Sequence, residues 1–336
     1  MTRRRIQTPS RLHFGLFGWG PHAYRQFGGV GLMVDDPGLE ILVEPSERWT
    51  AEGPLAKRAL SIAEDVTARL REEGHHPPPA RISILRAPET HIGLGVGTQL
   101  SLAIARALTE MSGIPNAPVE TLARLTGRGR RSGIGIHGFV EGGLIVDGGR
   151  RAALDVPTRL LRTALPNHWS VLIVIPEPGT GLAGSEEVRA FDALQPPSAS
   201  ATDRLCGLVL LGLLPALVES DLASFGRSLM EIQEVVGSMF APIQGGRYAS
   251  KQTESVVSRM FDLGLTGVGQ SSWGPSLYAF SNSDHPTRAS IRDTLSHEFQ
   301  LPSTQIFWTR ASKAGASCST EERTRTIFYS SEPEGL

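Results

Sequence analysis

Three glycines within five residues, Gly93, Gly95 and Gly97, stand directly before an apolar run with helical spacing: Leu100, Ile104, Ala107, Leu108 and Met111. Few folds accept that junction, because the chain must pass through conformations that glycine tolerates and enter a helix at once. Thr98 takes the N-cap place in this reading, with Val96 and Gln99 beside it. Such a junction aims several backbone N–H groups at one point, and the helix N-terminus adds partial positive charge there. Phosphate is the expected guest, and a tight turn with a packing role is the alternative.

Upstream, "IQTPSRLHFGLFGW" reads as a strand, and "GGVGLMVDDPGLEILVEP" as two strands around the turn Asp35-Asp36-Pro37-Gly38. Residues 54–73 read as a helix, with Leu55, Ala59, Ile62, Ala63, Val66 and Leu70 on its buried face. "RISILRAP" is a strand leading into the glycine junction, "VETLARLTGRGR" a helix stopped by glycines, and "GLIVDGGR" a strand with its turn. The apolar strand in "WSVLIVIPEP" opens a second half, with helices at 203–219, 221–240 and 250–263. A second glycine-rich turn with a strand follows in "GLTGVGQSSWGPSLYAFSNS", then a helix in "RASIRDTLSHEF" and a strand in "STQIFWTRAS". The polar tail from Ala314 reads as loose. Strands and helices mix without regular βαβ alternation, which predicts an α+β fold divided into domains 1–165 and 166–336.

Composition excludes several classes. The 336 residues carry a net charge of −1, so no nucleic-acid partner is expected. Arg3, Arg4 and Arg5 have no apolar run behind them and read as a solvated terminus, not a secretory signal. Leu205 to Val218 is shorter than the roughly 20 residues a spanning helix needs, so it reads as a buried helix and no membrane contact is expected. Cys206 and Cys318 form neither a disulfide framework nor a metal-spacing motif, which points to a cytoplasmic protein.

Three glycine-rich segments, 93–98, 127–143 and 267–275, carry a resemblance over nearly the whole chain. "PETHIGLGVGTQLSLA" resembles the phosphate-binding motif of the GHMP kinase superfamily, "GLTGVGQSSWGPSLYAF" its C-terminal glycine motif and "PSRLHFGL" its N-terminal motif. The resemblance implies an N-terminal α+β domain, a C-terminal ferredoxin-like domain and a site in the cleft between them. Kinases of this superfamily often carry Ser-Gly-φ-Asp, with φ apolar and the Asp as the base that activates a substrate hydroxyl. In "SGIGIHGFVEGG", Ser132, Gly133 and Ile134 match, but Gly135 stands at the Asp position and has no side chain to take a proton. Val96 also stands where a serine is usual.

These departures resemble one branch of the superfamily, the β-ribofuranosylaminobenzene 5′-phosphate synthases, on "GLGVGTQL", "RRSGIGIHGF" with "EGGLIVDGG", and "GGVGLMVDDP". That resemblance implies a reaction of phosphoribosyl pyrophosphate with 4-aminobenzoate, or with 4-hydroxybenzoate, releasing CO2 and pyrophosphate. The electron-rich ring attacks an oxocarbenium-like ribose at the carbon bearing the carboxylate, so no hydroxyl needs a base at position 135. Gly93 to Thr98 would hold the pyrophosphate with Mg2+. Arg130 and Arg131 are candidates for the 5′-phosphate or the carboxylate, or else a solvated basic loop. Ser10, Arg11 and His13 come from the first strand, and His13 is a substrate contact or a hydrogen-bonded strand residue. His137 is a candidate catalytic group or a packed polar residue. Asp147, before Gly148-Gly149, is an anchor for metal or ribose, or turn chemistry. Ser132 and Gly133 belong to the middle motif; Gly269, Gln270, Ser271 and Trp273 would wall the site, with Trp273 stacking on the ring or packing. A small-molecule kinase with a relocated base and a non-catalytic binding module remain the other readings, and a homodimer is expected from the family only.

Overall fold

The computed structural model describes residues 2–153, 155–178 and 189–322. The first sheet is built on two long antiparallel strands, β1 (Thr2–Gly18) and β2 (Phe27–Pro45). Their register shifts between Thr8 and Ser10 and again between His13 and Gly15. Irregularities of this kind re-aim side chains, and here they bracket the stretch that reaches the site. Strands β3 (Thr50–Glu52) and β4 (Ala80–Arg86) extend the sheet on one end of β2, while β5 (Leu144–Asp147) and β6 (Arg159–Thr163) extend it on the other. The two strands expected around Asp35–Gly38 are one strand, β2, which runs through that irregularity with a cis Asp36–Pro37 bond.

Four helices cover this half: α1 (Ala56–Glu72), α2 (Val96–Met111), α3 (Val119–Thr126) and α4 (Ile134–Glu141). α1 buries Ala59, Ala63, Val66 and Leu70, the stripe its sequence spacing predicts. That stripe packs with Ile41, Val43, Ile82 and Ile104 into one core under the sheet. α2 begins at Val96 with Gly95 as its cap, so Thr98 lies inside the first turn and is not the N-cap.

The second half holds a four-stranded antiparallel sheet of β7 (Ser170–Val174), β8 (Thr266–Gln270), β9 (Leu277–Ser281) and β10 (Ile306–Thr309). Its order, β10-β7-β9-β8, with helices after the first and third strands, is that of a ferredoxin-like unit. The helices are α5 (Ala199–Val218), with a π-helical stretch at Leu208–Leu213, α6 (Leu222–Gln244), α7 (Lys251–Asp262) and α8 (His285–Phe299). One hydrophobic core joins both sheets, from Leu12, Phe14 and Leu32 to Ile173, Phe225, Tyr278 and Phe280. Phe14 and Tyr278 meet with ring centroids 5.0 Å apart across that junction.

Three further expectations are corrected. The helix expected to be buried at 205–218 is buried along one side only: Val209, Leu213 and Leu217 face the core, while Leu210, Leu211 and Val218 are exposed. Over its full length, Ala199–Val218, it is long and apolar enough to cross a membrane by length and composition. The basic start is not solvated at large: Arg3 and Arg5 pair with Glu321, Arg5 also with Glu40, and Arg4 with Glu110 at 3.2 Å. The segment after Ala314 is not wholly loose either, because β11 (Ser317–Glu322) pairs antiparallel with Thr2–Gln7 of β1. A division at 165/166 therefore assigns β11 to the half whose sheet it does not join; residues 323–336 of the tail lie outside the described residues.

Candidate active site

The glycine junction is stitched to both halves of the molecule. Arg11 of β1 donates its N–H to the Leu94 carbonyl at 2.9 Å, and Ser276 donates its N–H to the Ile92 carbonyl at 3.2 Å. The Ser271 hydroxyl donates to the Gly93 carbonyl at 2.7 Å and accepts the His13 N–H at 3.0 Å. Gly93 has φ +85°, and a Cβ there would lie 2.4 Å from the Ser271 carbonyl oxygen, so only glycine fits. No side chain caps α2, which leaves N–H groups of its first turn for a ligand.

In front of this junction lies a cavity of about 490 Å3 with three kinds of wall. The first is the junction itself, Gly93 to Thr98. The second is cationic: Arg11 from β1, Arg58 from α1, Arg128, Arg130 and Arg131 from the loop before α4, and Arg247 after α6. Arg58 reaches the N-terminus of α2, where a Cβ on Gly97 would lie 2.5 Å from its Nη2. The third wall is aromatic, with Phe191, Phe240 and Trp273. Phe240 and Trp273 pack edge-to-face at 4.7 Å between centroids, and the Arg131 guanidinium lies 5.1 Å over the Phe191 ring. Among the described residues, no aspartate or glutamate lines the cavity.

Position 135 is where the resemblance to the kinases would place a carboxylate. A Cβ on Gly135 would meet Thr98 Cγ2 at 3.3 Å and Arg11 Cδ at 3.7 Å. The stem of Arg11 thus runs beside the place where a base would project, and Arg11 lines a cavity with no acidic residue among its described walls. A kinase base at this position would face a cation from the outset.

The cavity brings together Arg11, His13, Gly93, Gly95, Val96, Gly97, Thr98, Arg130, Arg131, Ser132, Gln270 and Trp273, all singled out in the sequence. Others lie behind it. Ser10 donates its hydroxyl to the Pro37 carbonyl, and Gln99 donates Nε2–H to the Gly135 carbonyl at 2.9 Å. His137, a catalytic candidate, is 6% exposed and bonded through Nε2 to the Pro157 carbonyl at 2.7 Å, so it is a packed residue here. Gly269 is held against Gln233 and Tyr278, and Ser271 buttresses Gly93 from outside the cavity. Asp147 does not reach the cavity. Its carboxylate accepts N–H groups from Gly133 and Gly149, each at 2.9 Å, and the Ser132 hydroxyl at 3.3 Å. Burial pushes its carboxyl up to about 6, against the downward pull of those donors. Burial also drives the His13 imidazole well below its ordinary range, and the charges of Arg11 and Arg131 push the same way. Sequence reasoning missed Arg58, Arg247, Phe191 and Phe240, which come from distant segments and carry no motif, and also Arg128, although it lies within the glycine-rich segment 127–143 beside Arg130 and Arg131.

The donor set does not suit a resident Mg2+. That ion is held through carboxylates and phosphate oxygens. The cavity offers guanidinium groups, imidazoles and hydroxyls, and no cluster of three His, Cys, Asp or Glu that could hold a metal occurs among the described residues.

Comparison with known proteins agrees with this architecture. Residues 213–299 match the family model for the GHMP kinases C-terminal domain. The homoserine kinase of Cytophaga hutchinsonii superposes with a TM-score of 0.66 at 19% identity, covering 94% of this chain and 97% of the kinase. The fold is thus that of the GHMP kinases, with their C-terminal domain at residues 213–299. The β-ribofuranosylphenol 5′-phosphate synthase of Archaeoglobus fulgidus is 34% identical over 292 residues, covering 83% of this chain and 88% of the relative. That of Methanothermobacter thermautotrophicus is 32% identical over 295 residues, covering 82% and 88%. The chain belongs to the β-ribofuranosylphenol 5′-phosphate synthase family.

Proposed function

We propose that this chain joins the phosphoribosyl group of phosphoribosyl pyrophosphate to 4-aminobenzoate or 4-hydroxybenzoate, releasing CO2 and pyrophosphate. The observation that carries the reading is a cavity with six arginines and no acidic lining among the described residues, in which the Arg11 stem runs beside the kinase base position. Such a site suits a polyanionic donor and, among the described residues, offers no carboxylate to activate a hydroxyl. The relatives' name is that of a ribosylated phenol, which 4-hydroxybenzoate would give by this route. The amino acid analogue gives the corresponding aniline.

In this mechanism the N–H groups at Gly93 to Thr98 and the Arg58 guanidinium hold the pyrophosphate. Charge grows on its bridging oxygen as the bond to ribose C1 breaks, and donors already in place stabilise it without reorganisation. Phe191, Phe240 and Trp273 hold the aromatic ring against the developing cation, and Arg130 and Arg131 take the 5′-phosphate and the carboxylate. Loss of CO2 returns the bonding electrons to the ring. Mg2+ would be carried on the phosphate oxygens of the donor as their counter-ion, since no carboxylate among the described lining residues would hold it. The substrates are small molecules, and two exposed, unpaired cysteines, Cys206 and Cys318, support a reducing, cytoplasmic setting. The apolar strip Leu210, Leu211 and Val218 supports a homodimer, which sedimentation would test.

The test uses acid labelled at its carboxyl carbon. Purified protein with Mg2+ and phosphoribosyl pyrophosphate should release labelled CO2, and a tube with ATP in place of the donor should not. Release from neither acid, with phosphate transfer or ADP formed in the ATP tube, would replace this reading with a small-molecule kinase. Ligand binding with no turnover in any tube would leave a binding module.

A further inference from the structure

The cavity wall contains one titratable chain that the mechanism above leaves unused. His13 Nε2 lies 3.1 Å from the Ser132 hydroxyl oxygen, and that hydroxyl donates to the Asp147 carboxylate at 3.3 Å. A hydroxyl that donates to a carboxylate has its lone pairs free, so it accepts from His13 Nε2–H and from the Ile134 N–H at 3.2 Å. This fixes the imidazole tautomer: Nε2 carries the proton and Nδ1 carries the lone pair. Among the described residues, Nδ1 is in none of the hydrogen bonds formed by His13. His13 lines the cavity, and its backbone carbonyl accepts the Ser272 N–H at 3.2 Å, next to Trp273 of the aromatic wall. Arg131, which lies over Phe191 in that wall, also acts electrostatically on His13.

We propose that His13, oriented by Ser132 and Asp147, is the base that takes the para-hydroxyl proton of 4-hydroxybenzoate and returns it at the end of the cycle. The inference rests on the ribosyl-transfer reading above. In the forward step the O–H bond breaks towards Nδ1, and the oxygen electrons move into the ring. The ring carbon bearing the carboxylate bonds to ribose C1, and the C1–O pair leaves on pyrophosphate. The product of that step is a dienone with carboxylate and ribose on one carbon. CO2 then departs, its bonding pair restores the ring, and the phenolate oxygen takes the proton back from Nδ1. No oxidant, reductant or net proton is needed.

An aniline nitrogen pushes its lone pair without losing a proton, so the relay is needed for one acid far more than the other. Burial and the Arg11 and Arg131 charges keep the free imidazole neutral, and the anionic substrates offset those charges when they bind.

The experiment measures turnover of both acids by wild type, His13→Gln, Ser132→Ala and Asp147→Asn. His13→Gln keeps a donor towards Ser132 and removes the base. It should slow 4-hydroxybenzoate by about 100-fold or more, in the range of lost general-base catalysis, and 4-aminobenzoate by no more than about tenfold. Ser132→Ala and Asp147→Asn should shift the ratio of the two rates in the same direction by a smaller factor. Equal losses with both acids would reduce the chain to a structural clamp and overturn the inference. So would a wild type active with 4-aminobenzoate alone. A wild type that turns over neither acid overturns the ribosyl-transfer reading and the relay together. A second readout is independent of turnover. With inorganic pyrophosphate present to offset the Arg11 and Arg131 charges, 4-nitrophenol bound to wild type at about pH 6 should show more phenolate absorbance than the same phenol free in solution, and lose that excess in His13→Gln. No such excess in folded wild type overturns the proposal.

Discussion

Gly135 is the residue where the chemistry of this chain departs from a hydroxyl-activating kinase. Its φ is not in the left-handed region, and the atoms nearest a Cβ there belong to flexible side chains, Thr98 at 3.3 Å, Arg11 at 3.7 Å and Gln99 at 3.8 Å, so a side chain at this position meets no backbone among its three nearest atoms. Gly135→Asp should pair with Arg11 and withdraw one positive charge from the cavity. The expected result is a KM for the ribosyl donor raised by about tenfold, the size of a lost charge-assisted contact, with no phosphate transfer from ATP. Steady-state kinetics with both nucleotide and ribosyl donors check this. Titration supplies a second residue-scale prediction. His13 is held below its ordinary 6.5, so protonation favours the unfolded chain, and its contribution is lost as pH falls through 6.5. Asp147 is raised from 3.8 to about 6, so protonation favours the folded chain, and stability is gained as pH falls through that window. The two oppose each other between those values. His13→Gln should therefore raise the melting temperature at pH 5 relative to pH 8, compared with wild type, and Asp147→Asn should lower it. Scanning calorimetry at about those two pH values reads the sign.

At the scale of elements, α1 was legible because its apolar stripe repeats at helical spacing and its buried face is what that spacing dictates. α5 was legible as a helix but not in its burial, since a run apolar on all sides says nothing about which side finds a partner. α4 was quoted as a glycine motif and not as a helix, because Gly133, Gly135 and Gly138 hide its period. The site divides in the same way. Loop residues near glycines, such as Arg130, Arg131 and Trp273, could be found from local pattern; Arg58 could not, because only packing of α1 on α2 brings it to Gly97. Arg58 therefore gives a prediction that belongs to that packing. Arg58→Ala should raise the donor KM by about ten- to 100-fold and leave the aromatic acid KM nearly unchanged, as expected for a lost guanidinium–phosphate contact.

For the whole molecule, a net charge of −1 conceals a strong local field: 33 Lys and Arg nearly balance 34 Asp and Glu, yet six arginines face one cavity. A donor with several negative charges should feel that field from outside. Raising salt from about 0.05 to 0.5 M shortens the screening length and should raise the donor KM several-fold, more than the KM of the singly charged acid. Initial rates at fixed acid and varied donor measure it. The closure of the first sheet by β11 also has a consequence for how the chain is made. Thr2–Gln7 emerges early during synthesis, but its partner Ser317–Glu322 is translated only after every strand of the second sheet. Until then β1 has a free edge along Thr2–Gln7, which invites pairing with the wrong neighbour. Arg3, Arg4 and Arg5 lie on that strand, and three adjacent positive charges repel an identical edge on a neighbouring nascent chain until Glu321 arrives to take two of them.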